Sequence, residues 1–227
     1  MCGRTTLFTP DKIGKRFNIA STELKAFQKD FKPTYNAAPT QIMPTIVSDS
    51  GTNHIRLMKW GFLPTWAKDP NDTFKYKTFN ARAEDIFEKP TWRSAIRHTR
   101  CLIPANGFYE WQALKDGKQP YFIHPKDQQL FAFAGIYNIW KNDLGDEWDT
   151  YSIITTSPNK EMSEIHNRMP VILHPKNEKQ WLDTSNDTPE SIVDLLKPYD
   201  NGLLEMYKVS RDVNTARVDN ENLIHPL

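Results

Sequence analysis

Cysteine is nearly missing from this 227-residue chain: Cys2 and Cys101 are the only two. Two thiols cannot build a disulfide framework or a cysteine-rich zinc site. A reducing, cytoplasmic setting is therefore expected. No apolar run approaches the length of a membrane span, and the start turns polar too soon for a secretory leader. Net charge is equally scarce, with 29 Lys+Arg against 28 Asp+Glu. The chain thus lacks the global basic footprint of many nucleic-acid binders, and any anion site must be a local cluster of arginine and aromatics. Neither paired CxxC nor HExxH occurs, so no metal and no cofactor is expected. Internal repeats, low-complexity tracts and interdomain linkers are also absent, which leaves residues 1–227 as one domain.

What is present fits a single sizeable core. The chain is 38% hydrophobic and holds seven tryptophans. Short strands are expected at Met43–Val47, His54–Trp60, Cys101–Pro104, Phe108–Ala113, Tyr121–His124, Leu130–Tyr137, Thr150–Thr155, Met169–Leu173 and Met206–Ser210. Asp116-Gly117 and Gly145-Asp146 read as turns between them. Thr9-Pro10, Ser157-Pro158 and Thr188-Pro189 each read as an N-cap followed by proline at the first helical position. Phe79 to His98 reads as short helical pieces interrupted by Pro90. Many short strands with a few short helices predict an α+β fold: a single domain with a curved or barrel-like mixed β core and short helices packed outside.

Cys2 carries the most chemical information. If Met1 is removed, Cys2 presents a free α-amine and a thiol on adjacent carbons. The amine condenses with an aldehyde to an imine. The thiolate, the reactive form of cysteine, then closes a five-membered thiazolidine. Both nucleophiles share one residue, so closure has the effective concentration of an intramolecular step. An α-amine of ordinary pKa, about 7.7–8.0, is partly neutral near pH 7. While Met1 remains, the amine is an amide and this chemistry is closed. Gly3 lets the backbone approach a bulky partner, and Arg4 sets a phosphate-matching fork beside the nucleophile.

Three further segments combine reactive groups with rigid surroundings. In Pro104 to Trp111, Glu110 shares one strand face with Phe108, while Tyr109 and Trp111 share the other. Such a carboxylate either lies at a solvent face or lines an apolar cleft, where a raised pKa would suit general acid–base work. In Glu164 to Pro170, His166 falls at an element end, and Arg168 either holds phosphate or pairs with Glu164. In Phe79 to Glu84, Asn80 and Arg82 face one side if the stretch is extended; otherwise Asn80 caps a helix and Arg82 is solvated. Trp60 to Trp66 sets two indoles around Gly61 and Pro64. These belong either to the core or to a platform on which bases stack, for about 1–3 kcal/mol each.

Taken together, these segments resemble the SOS-response-associated peptidase family, also described as abasic-site processing proteins. The likeness begins at Met1-Cys2-Gly3-Arg4 and runs through Tyr35-Asn36-Ala37-Ala38-Pro39, Trp60-Gly61, Asn80-Ala81-Arg82-Ala83-Glu84 and Gly107-Phe108-Tyr109-Glu110-Trp111. It continues through Ile165-His166-Asn167-Arg168-Met169-Pro170 and closes with Val213-Asn214 and Leu223-Ile224. The resemblance implies capture of the ring-opened aldehyde of an abasic site in single-stranded DNA. The product would be a thiazolidine crosslink through Cys2 that shields the lesion. Some β-elimination lyase activity and self-processing at the N-terminus are implied as well. Catalytic roles map onto Cys2, Asn80, Glu110 and His166. Arg4, Arg82 and Arg168 would hold phosphates, Asn36 would touch a nucleotide, and Trp66 would stack near the lesion. Low sequence preference and salt-sensitive binding follow, since phosphate contacts position a strand without reading it. Two positions depart from the family pattern: Thr40 stands where the family carries glycine, and Ala67 where a second aromatic is common. A monomer is expected. Two other readings compete: an N-terminal-cysteine peptidase or amidohydrolase, and a non-catalytic single-strand-binding module.

Overall fold

The computed structural model describes residues 2–69, 75–127, 129–142 and 144–227. Its centre is a closed barrel of five strands. β3 (Ile42–Asp49) lies between β4 (Thr52–Trp60) and β6 (Arg100–Ala105), and β6 pairs with β9 (Phe131–Lys141). β9 pairs with β10 (Glu147–Thr156), which returns to β4 and closes the ring. The β10–β4 pairing is parallel and the other four are antiparallel, so the barrel is mixed. Closure leaves no open edge in this part of the molecule.

A second sheet of five strands runs in the order β13 (Leu204–Lys208), β8 (Gly117–Pro125), β7 (Gly107–Leu114), β1 (Thr5–Leu7), β2 (Thr34–Ala37). It packs on the barrel through aromatic contacts such as Phe108 against Phe133, edge-on at 5.7 Å. Phe133 in turn meets Phe131 edge-on at 5.0 Å. The first half of β9, Phe131 to Ile136, is buried on both faces. Its small residues allow that. A Cβ on Gly135 would stand 2.5 Å from Ile103 Cδ1 and 3.0 Å from Cys101 Sγ, closer than packed atoms tolerate.

The α+β class and the barrel-like core agree with the sequence expectation. Three strands escaped it: β1, β2 and β5 (Asn80–Arg82). Each is three or four residues long and shows no alternation of its own. β5 replaces the expected helical start of the 79–98 segment. It pairs with β10 over Ile153–Thr155, just beyond the Thr150–Tyr151 stretch that β10 shares with β4. The expected strand Met169–Leu173 is split. β11 (Met169–Pro170) pairs with β10 and β12 (Ile172–Leu173) with β9. Val171 bridges the two, donating to Ile154 O at 2.9 Å while its carbonyl accepts from Ala134 N at 2.9 Å.

The helices are short: α1 (Ile13–Phe17), α2 (Ser21–Asp30), α3 (Ala95–His98), α4 (Pro175–Leu182) and α5 (Pro189–Ile192). Pro10 opens a 3-10 turn ahead of α1 and Pro189 opens α5, but neither Thr9 nor Thr188 caps through its side chain. Ser157-Pro158 starts no helix. The 3-10 turn there, Met162–Glu164, is begun by Asn159, whose Oδ1 accepts from Met162 N at 2.9 Å. Arg100 is 2% exposed and ties α3 and the chain after α4 to the barrel. Its guanidinium donates to the carbonyls of Ile96, Arg97, Trp181, Asp183 and Asn186. Among the described residues no helix is long and apolar enough to cross a membrane.

Candidate active site

The site lies where the second sheet meets the barrel. The sheet contributes Cys2, just ahead of β1, and Glu110 on β7. These are neighbours because β1 runs antiparallel to β7, with Thr5 opposite Phe108 and Tyr109 N donating to Arg4 O at 3.0 Å. The barrel contributes Asn80 on β5 and His166, which follows the Met162–Glu164 turn. Gln112 on β7 reaches across and donates to Glu164 O at 2.9 Å, fastening the histidine loop to the sheet.

Glu110 and His166 line one cleft of about 380 Å³ with Trp111, Lys118 and Asn214. Glu110 is only 2% exposed. The His166 ring is oriented by its own chain: Arg168 N donates to Nδ1 at 3.0 Å. Nδ1 also lies 3.2 Å from Arg168 O, so the backbone of Arg168 holds this edge of the ring.

Cys2 is fully shielded from solvent. Burial, and after it the negative charge of Glu110, pushes its thiol far above the ordinary range, while a backbone hydrogen bond at Arg4 acts the other way. Asn80 Nδ2 donates to the Cys2 carbonyl at 2.9 Å. Its Oδ1 is buried and accepts no hydrogen bond among the described residues, an arrangement that costs about 1–3 kcal/mol unless a donor arrives.

Of the residues nominated for DNA contact, Arg4 and Asn36 form one internal network. Arg4 Nη1 donates to Asn36 Oδ1 at 2.8 Å and to Val213 O at 2.6 Å, and Nη2 donates to Asn214 O at 3.2 Å. Asn36 is 1% exposed and donates to the carbonyls of Val213, Thr215 and Val218. Together they hold the segment that brings Asn214 to the cleft, where Asn214 Oδ1 accepts from Trp111 Nε1 at 2.7 Å. Arg168 is likewise engaged, forked onto Glu84 at 2.5 and 2.9 Å and donating to Thr155 O at 2.7 Å. That fork holds the Glu84 carboxyl below its usual range. Arg82 is exposed.

The two indoles divide: Trp60 is fully buried and Trp66 is 46% exposed. Ala67 is buried with Leu63 and Trp140, its carbonyl accepting from Trp140 Nε1 at 2.8 Å. Tyr76 supplies a second exposed ring, edge-on to Trp66 at 5.0 Å. Sequence reasoning missed Tyr76, Lys118 and the Glu84–Arg168 fork. The signal for the last was the acidic residue two places after Arg82. Lys118 had only its place beside a hairpin turn. Among the described residues no group of three His, Cys, Asp or Glu side chains is arranged to hold a metal ion.

The comparisons with known proteins define the class. The model of the SOS response associated peptidase (SRAP) family matches residues 1–216, and the chain belongs to that family. Its particular relatives include the abasic site processing protein YoqW of Bacillus subtilis (strain 168), 44% identical over 226 residues that cover 99% of both chains. The abasic site processing protein HMCES of Gallus gallus is 31% identical over 87% of this chain and 67% of its own. A crystal structure of a Bacteroides thetaiotaomicron protein matches with a TM-score of 0.90 at 30% identity, covering all of both chains.

Proposed function

We propose that this protein processes abasic sites in single-stranded DNA, capturing the sugar aldehyde covalently through Cys2 once Met1 has been removed. The observation that carries the reading is the convergence on one seam. Asn80 grips the Cys2 carbonyl, the charge of Glu110 acts on the Cys2 thiol, and Glu110 and His166 line one cleft. The names of the relatives point to the same lesion.

In this mechanism the freed α-amine of Cys2 adds to C1 of the ring-opened sugar. Water leaves as the imine forms. The Cys2 sulfur then adds to the imine carbon and its proton ends on the ring nitrogen, so the net change is loss of one water. Glu110 moves the protons of these steps, a role suited to a buried carboxylate within reach of solvent through a cleft. His166 donates a proton to the sugar oxygen or to the departing water. Asn80 Oδ1 accepts from the freed amine and so aims it, which also gives that buried oxygen the donor it lacks. Trp66 with Tyr76 offers rings for bases, and Arg82 a cation for the backbone. Arg4 and Arg168 act here as framework, since protein carbonyls and carboxylates already fill their forks. Lyase action follows from the same imine: loss of a proton from C2 of the sugar expels the 3′ phosphate.

The test is direct. The mature protein, its mass confirming loss of Met1, is mixed with a single strand bearing one abasic site and then denatured. The expected result is a slow band resistant to denaturant, absent with intact DNA and with Cys2→Ala. An adduct that survives Cys2→Ala overturns the assignment of the nucleophile. Turnover of amides by the mature protein, with no adduct, replaces it with the N-terminal peptidase reading. Strand scission in the same lanes measures the lyase branch.

A further inference from the structure

We propose that Lys118 is the anion anchor on the sheet side of the cleft and takes a backbone phosphate of the strand that carries the lesion; this rests on the function proposed above. A polyanion entering this site meets the Glu110 carboxylate, so a cation must stand nearby. Of the described residues lining the cleft, Lys118 alone carries a permanent positive charge. Its side chain is exposed, on β8 one residue past the β7–β8 turn and opposite Ala113. Its ammonium makes no hydrogen bond or ion pair with any described residue, unlike the guanidiniums of Arg4 and Arg168. A compact, rotatable ammonium also suits phosphate oxygens whose orientation varies along a flexible strand. Arg82 is exposed on β5, on the barrel side, while Lys118 belongs to the sheet. The two cations therefore stand on different sheets, and Lys118 is the one that lines the cleft.

The experiment uses intact, undamaged single-stranded DNA, which holds no aldehyde, and follows fluorescence anisotropy across a salt series. For Lys118→Gln the slope of log affinity against log salt falls by about 0.7, the value for one lost phosphate contact on a single strand. Low-salt affinity falls several-fold. Lys118→Arg keeps the slope, and Lys118→Glu lowers affinity further. A wild-type slope in Lys118→Gln overturns the proposal, as does a wild-type protein with no salt-dependent binding. The same preparations are scored for adducts with abasic strands. A wild-type protein that gives no adduct removes the function proposed above, whereas an unchanged slope removes only the anchor, so the two failures are distinguishable.

Discussion

Both cysteines are fully shielded from solvent, and in both burial drives the thiol far above its ordinary range. Around Cys101 burial is the whole cause. It sits in the barrel wall against Gly135, with its carbonyl accepting from Trp181 Nε1 at 2.9 Å. Around Cys2 a carboxylate adds to the effect, an amide holds the carbonyl, and an unfilled acceptor waits beside it. Burial alone makes an inert thiol. What distinguishes a reactive site is polar groups placed where apolar side chains would pack as well and cost less.

The sharpest way to break this comparison is to exchange the two. Cys2→Ala should leave no adduct with abasic DNA. Cys101→Ala should give adduct at the wild-type rate and lose about 1–2 kcal/mol of stability from the small cavity it leaves. Adduct lost in Cys101→Ala while the fold is retained would erase the distinction. Glu110→Gln comes next. It should slow capture by about 10²–10⁴-fold, the usual worth of a positioned acid–base group. It also removes a negative charge, so the Cys2 thiol should titrate lower than in the wild type, while Cys101 does not move. Alkylation against pH reads this. Both wild-type thiols should react slowly near neutrality and keep accelerating past the ordinary cysteine value of 9.0 without a plateau. In Glu110→Gln the Cys2 curve alone should shift toward lower pH.

The surroundings of Cys101 differ in kind as well. Its neighbour Arg100 is as buried as Glu110, at 2% exposure each. Yet the guanidinium of Arg100 donates to backbone carbonyls, so it joins elements and performs no chemistry. Arg100→Met should strip those carbonyls of their partner. At about 1–3 kcal/mol per buried group left unsatisfied, a loss of at least ~3 kcal/mol is expected, read from the urea midpoint. Capture by the folded fraction should be unaffected.

Much of this was legible in the sequence. The long strands announced themselves by composition and turns, and the motif order pointed to Cys2, Asn80, Glu110 and His166. The short strands did not, because β1, β2 and β5 exist by pairing rather than by their own pattern. Nor did the fate of the arginines: Arg4 and Arg168 look like phosphate forks in sequence, and the carbonyls that fill them come from Val213, Asn214 and Thr155. Thr40, where the family resemblance expects glycine, has φ +79°. The backbone there demands what glycine gives freely and what a β-branched residue adopts only under strain.

Glu84 offers the finest test of how the Cys2 neighbourhood is held. Its fork on Arg168 fixes the residue whose N–H orients His166. The carboxyl is held low chiefly by that hydrogen bond, so its folded pKa lies below its unfolded one. The resulting stability is present above the ordinary carboxyl value of 4.5 and fades as pH falls through the folded value. Glu84 is half exposed, at 52% of its side chain, and solvent screening limits the effect to below about 1 kcal/mol. Glu84→Gln should therefore lie slightly below wild type in stability at neutral pH and converge with it in acid. Its capture rate should drop several-fold at pH 7, far less than in Glu110→Gln, because His166 loses orientation but remains in the cleft. Glu84→Asp, which can still reach toward the guanidinium, should recover part of the rate. If Glu84→Gln lost stability and kept its full rate, the fork would belong with Arg100 as a structural tie, and the contrast between the two cysteine neighbourhoods would narrow to Glu110 and Asn80.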